Sequence, residues 1–121
     1  MTIRPCALAL CTALLLGQAQ AATSEQLYQL ALEAQSDRAY PRMLDLLRQS
    51  ARAGHVEAQE MLALALLAGP VVYGPAVPAD RCEARHWVGQ AFAQGSLVAW
   101  QQLVFLNRLR TAPNGQPACA G

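Results

Sequence analysis

The chain of 121 residues contains no lysine; all nine basic residues are arginine, set against eight acidic ones. At a formal net charge of +1 there is no basic excess to neutralise phosphates, which excludes the electrostatic footprint of a nucleic-acid binder. The all-arginine base reads as a compositional bias, of the kind a GC-rich genome imposes, and not as function. Only 14% of residues are charged and 6% aromatic, whereas 54% are hydrophobic. A disordered chain has the opposite balance. No apolar run reaches the roughly 20 residues that span a bilayer; the candidates, residues 6–16 and 61–68, are too short. Catalytic sets are missing too. There is no His-Glu-x-x-His motif, no Gly-x-Ser-x-Gly elbow and no glycine-rich phosphate loop. His55 and Gln59 have the spacing of a ligand pair, but glutamine is a poor second ligand. His55 reads as a surface turn residue, His86 as a helix-surface residue, and Glu57 with Glu60 as an ordinary exposed pair. The expectation is no catalytic residue, no metal and no cofactor.

What is present begins with a targeting pattern. Arg4 precedes the apolar run 6–16, Gly17 breaks it, and Ala19-Gln20-Ala21 has the small-x-small form that signal peptidase cuts. A buried N-terminal helix is the competing reading. A lipidated Cys11 fits less well, because Leu10 before it is not small and the apolar run continues beyond. Cleavage after Ala21 leaves residues 22–121, one domain's worth, with a net charge near zero and a periplasmic or secreted location. Cys6 and Cys11 leave with the signal. Cys82 and Cys119 remain, an even pair in an oxidising compartment, so a disulfide is expected. A metal site would need more than His86 beside these thiols. A reactive thiol would need a more specific partner than Arg81 or Arg85.

The remainder reads as helices. Thr23 or Ser24 caps the first, with Gln26 at capping-box spacing from Thr23 and Leu27, Leu30, Ala31 and Ala34 on one face. Residues 37–40 form a polar connection. Pro41 opens a second helix, lined by Met43, Leu44, Leu46, Leu47 and Ala51 and followed by Gly54. A third runs from about Val56 to Ala68 and stops at Gly69. Residues 70–78 hold three prolines and a glycine and read as a loop. Asp80, with Glu83 three residues on, caps a fourth helix bearing Ala84, Trp87, Val88 and Ala91, which Gly95 ends. Ser96 caps a fifth, carrying Leu97, Val98, Leu103, Phe105 and Leu106. From Thr111 the tail, with Pro113, Gly115 and Pro117, is irregular. No strict alternation suggests a strand, so the fold class is all-α with about five helices.

These helices repeat. Placing Gly54 under Gly95, a shift of 41 positions, also aligns Leu47 with Val88, Gln49 with Gln90, Val56 with Leu97, Ala58 with Ala99 and Leu62 with Leu103. Such a period is that of stacked helix pairs. Residues 56–95 resemble a Sel-1-like repeat, a relative of the tetratricopeptide repeat. Ala58, Leu62 and Gly69 match its first helix, Gly74, Val77 and Asp80 its connector, and Ala84, Trp87, Ala91 and Gly95 its second helix. Residues 46–54 look like the end of a preceding repeat and 96–109 like the first helix of a following one. The chain departs from the pattern in Phe92, where the family has alanine, and in an insertion at residues 69–73. The resemblance implies a right-handed α-solenoid of antiparallel helix pairs over residues 22–110. A Cys82–Cys119 disulfide would then tie the tail, residues 111–121, over the end of the stack.

The resemblance also implies a non-enzymatic protein whose helices present a concave surface to another protein. Some relatives are periplasmic immunity proteins that neutralise interbacterial toxins. Cysteine-rich relatives have been linked to penicillin binding or hydrolysis, but they carry a disulfide in each repeat. The candidate partner-binding residues are Val71, Val72 and Tyr73, apolar in a segment read as a loop, and Trp100, of a type enriched at binding hot spots. Packing of that loop on its own core, and of Trp100 in the core, are the alternatives. The mature chain is expected to be a monomer or to self-associate weakly through its open end.

Overall fold

Four of the six helices begin where a side chain accepts from a free N–H group, and the other two open on a proline in their first turn. In a computed structural model, which describes residues 20–108 and Cys119, α1 (Ser24–Ser36) starts at a capping box between Thr23 and Gln26. α2 (Tyr40–Arg52) has Pro41 in its first turn. α3 (Val56–Ala68) is capped by His55, whose ring accepts from the Ala58 N–H. A one-turn helix, α4, covers Pro70–Tyr73. Asp80 caps α5 (Arg81–Ala93) through the N–H groups of Cys82 and Glu83. α6 (Leu97–Arg108) is capped by Ser96, which accepts from Ala99 N–H at 2.9 Å. All regular structure among the described residues is helical, and none of these helices is long and apolar enough to cross a membrane.

The helices pack in adjacent pairs: α1 on α2, α2 on α3, α3 on α5 and α5 on α6. The core is one cluster, built around Met43, Leu47, Leu62, Leu66, Val77 and Val88. It includes the apolar faces expected of α2 and α5 and the small Ala58, Ala84, Ala91 and Ala99, all inaccessible. Their size permits close helix approach.

The 41-residue period is visible atom by atom. The N–H groups of Gly54 and His55 donate to the carbonyls of Ala51 and Ser50; those of Gly95 and Ser96 donate to Phe92 and Ala91. This is the crossed pair of bonds that closes a helix on a left-handed residue, and φ is +90° at Gly54 and +88° at Gly95. The same pair closes α1, where Arg38 and Ala39 donate to Gln35 and Ala34. Here, however, the left-handed position is held by Arg38, at φ +57° and with an exposed side chain. A side chain in that region costs about 1–2 kcal/mol, part of which glycine's greater unfolded freedom cancels. Arg38→Gly is therefore expected to stabilise the fold by up to about 1 kcal/mol. A urea-unfolding midpoint that falls would contradict this.

Polar ties join successive pairs. Arg48 of α2 makes a two-pronged bond to Glu83 of α5, at 2.7 and 2.8 Å, and the Trp87 indole N–H donates to the same carboxylate. These bonds, led by that from Arg48, hold Glu83 below its usual carboxylate range. The sign follows directly. The tie contributes fully above Glu83's unfolded value of 4.5 and is lost as pH falls through the lower folded value. Glu83→Gln is expected to cost about 1–2 kcal/mol near neutral pH, and the gap from wild type should narrow as pH falls below 4.5. Urea titrations across that range read it out; a gap that widens in acid would contradict it. Gln59, buried, donates to the Ala51 carbonyl and accepts from Gln94, joining α3 to the ends of α2 and α5.

The segment 70–78 differs from the expected loop. Pro70 presets the backbone of a helical turn, so six helices are present where the spacing predicts five. The segment also divides between solvent and core. Val77 is inaccessible, the Asp80 N–H is bound to the Leu66 carbonyl, and Ala79 lies against Gly69 so closely that any side chain there would collide. Val71 and Val72 point outward. The signal pattern in residues 1–19 and the tail 109–118 lie outside the described residues. Cys119 is described and lies at disulfide-bonding distance from Cys82, with Cα atoms 5.2 Å apart.

Candidate functional site

α1, α3 and α6, the first helices of successive pairs, share one face of the stack. Across α3 and α6 that face forms an open groove of about 540 Å³, lined by Leu64, Leu67 and Ala68 from α3 and by Val98, Gln101, Gln102 and Phe105 from α6. Leu64, Val98 and Phe105 are 55%, 48% and 52% exposed. Their exposure follows from the sequence of α3. Residues 61–68 are apolar on every side, so a helix that buries Leu62, Ala63, Ala65 and Leu66 still has Leu64 and Leu67 left over. The lining holds no titratable side chain and no nucleophile paired with a base.

The groove continues towards α1 in a second hollow of about 240 Å³, lined by Tyr28, Glu57, Glu60, Met61, Leu64, Val98 and Gln102. This end is acidic. Burial, then the carboxylates of Glu57, Glu60 and Glu25, push the Tyr28 phenol above its ordinary range. Glu60 accepts from the Ser96 hydroxyl, so the α6 cap is also a contact with α3. Gln102, at the junction of the two hollows, donates to the Glu60 carbonyl at 3.1 Å, while its side-chain oxygen is buried without a partner.

His55 is a correction to the expected surface turn residue. Its side chain is 11% exposed. Nδ1 accepts from Ala58, Nε2 lies 2.6 Å from Glu25 of α1, and the ring stacks on Tyr28 with centroids 4.8 Å apart. Hydrogen bonds from Gln29 and then His55 hold Glu25 below the usual carboxylate range. Sequence reasoning missed this because Glu25 and Tyr28 are distant in the chain. His86 is exposed, edge-on to Trp87.

The candidate docking residues do not form one site. Val71 is 91% exposed and Val72 is exposed on α4, but Tyr73 is half-buried, edge-to-face with Tyr40. Trp100 is 55% exposed and lies in a separate notch with Phe92, Gly95, Ser96 and Leu97. The groove residues Leu64, Leu67 and Phe105 were not singled out by the sequence, where an all-apolar helix reads as core. Among the described residues, no group of three or more His, Cys, Asp or Glu is arranged to hold a metal ion. Comparison of the chain with protein-family models, curated proteins and solved structures found no match.

Proposed function

We propose that this protein is a non-enzymatic, Sel-1-like helical repeat that acts in the periplasm or outside the cell by gripping a segment of another protein. The observation that carries the reading is the α3–α6 groove, whose size lies within the range of ligand-holding clefts. Its floor of Leu64, Leu67, Val98 and Phe105 suits apolar side chains of a partner segment. Exposed Gln101 offers an amide to its backbone, and Glu57 and Glu60 favour a basic residue at the α1 end. The signal-like residues 1–21 and the Cys82–Cys119 pair support an oxidising compartment.

The test is capture of a partner from envelope extract of the source organism by tagged wild-type protein, beside Leu64→Glu and Phe105→Glu. Both positions are exposed, so the fold should survive the change. One near-stoichiometric partner is expected with wild type, reduced at least about tenfold with either variant. Its identity would separate an adaptor from an immunity protein. A partner retained equally by both variants would sink the groove as the binding site.

A further inference from the structure

The groove occupies one flank of α6; the other flank is also apolar and open. Under the shift of 41, Trp100, Leu103 and Val104 of α6 correspond to Gln59, Leu62 and Ala63 of α3. In α3 those three are buried, on a helix covered by α5. In α6 Trp100 is 55% exposed, Val104 is exposed and Leu103 is half-buried. Leu97, at 80%, and Phe92 of α5 extend the patch beside a notch of about 360 Å³. Among the described residues, this is the position where a further helix would pack.

Among the described residues no helix follows α6. Residues 111–121 read Thr-Ala-Pro-Asn-Gly-Gln-Pro-Ala-Cys-Ala-Gly. Two prolines and two glycines disfavour a helix there, and this stretch holds no leucine, valine or aromatic side chain to lie against Trp100. Cys119 itself lies beside Cys82 at the start of α5. Arg85 of α5 binds Asn107 and the Leu106 carbonyl, so that start lies by the C-terminal end of α6. Leu97 is at the other end of α6, about 16 Å away at 1.5 Å per residue.

We propose that a second copy of this chain covers the patch, α6 against α6, in a closed two-fold dimer. Charge selects this occupant. From Leu97 to Asn107 α6 bears no charged residue, and a two-fold contact sets residues near the axis against their own copies, where charges would repel. The opposite end of the stack excludes head-to-tail growth. The exposed face of α1 is Glu25, Gln26, Gln29, Glu33 and Ser36, and the large exposed apolar residues among those described all lie on α3 to α6. An apolar end and a polar end do not complement each other, so association stops at two.

The experiment is sedimentation velocity on the full chain, purified oxidised, from about 1 to 200 µM. The expected result is a concentration-dependent monomer–dimer equilibrium with no larger species. Trp100→Glu should weaken it at least about tenfold, with unchanged helicity by circular dichroism. Leu97→Glu reads the same property should Trp100→Glu lose helicity. Leu64→Glu, in the groove, should dimerise as wild type, which separates this face from the proposed partner site. A strict monomer at the highest concentration, a dimer surviving both α6 variants, or a ladder of larger species would each overturn the proposal.

Discussion

Trp87→Ala is expected to lower the unfolding free energy by about 3–5 kcal/mol. Trp87 is the largest side chain in the core cluster, 8% exposed, on the buried face of α5. Truncation removes more apolar volume than at any other core position, and the neighbours across α5 and α3 are helices that cannot collapse fully into the space. A second loss adds to the first. The indole N–H donates to Glu83 at 3.2 Å, and Glu83 is the acceptor that ties α5 to Arg48 of α2. A small domain has only about 5–15 kcal/mol in total, so the variant should lose a large share of its stability. Trp87→Phe keeps an aromatic filler but loses the N–H and part of the indole's volume, for a smaller expected cost of about 1–2 kcal/mol. Urea unfolding followed by circular dichroism measures both. A loss under about 1 kcal/mol for Trp87→Ala would mean that α5 does not pack on its neighbours as described.

The second large effect belongs to Cys82 and Cys119. They are 37 residues apart, and closing a loop of that length restricts the unfolded chain by about 4 kcal/mol in the chain-entropy treatment. The loop encloses nearly all of α5 and all of α6, the last two major helices of the stack. Without the cross-link, α6 is held by its packing on α5, the bonds from Arg85, and the Ser96 and Gln102 contacts to α3. Reduction, or the double change Cys82→Ser with Cys119→Ser, should therefore lower the thermal midpoint sharply and loosen α6 first. Amide exchange resolved along the chain tests the order. Stability unchanged by reductant would show that the pair contributes nothing to the fold.

Much of the fold was legible because helix ends are written locally. Thr23 with Gln26, Asp80, and Ser96 each cap where capping chemistry predicts, and Gly54 and Gly95 close their helices in matching geometry, whereas Glu83 completes no capping box and turns its carboxylate to Arg48 and Trp87. The third identical closure, at Arg38, escaped because the signal for a left-handed residue is glycine and this one is arginine. α4 escaped because proline-rich composition signals a break and not the single turn that Pro70 can start. The groove escaped for a different reason. Pattern separates apolar from polar faces, but α3 is apolar all round and α6 nearly so. Deciding which of Leu62 and Leu64 is core, or whether Leu97 and Phe105 are covered, requires knowing which helix packs on which face. α6 keeps the apolar pattern of α3 without, among the described residues, a neighbour that buries it.

The claim on which the functional account rests is that the shared face of α3 and α6 is a surface another protein covers. Photo-crosslinking in living cells tests it, with a benzophenone side chain at Leu64 or Val98 in the groove and, for comparison, at exposed Arg42 on α2. The account predicts one discrete crosslinked partner from both groove positions and none from Arg42. Crosslinks absent from the groove, or equally abundant from Arg42, would contradict it.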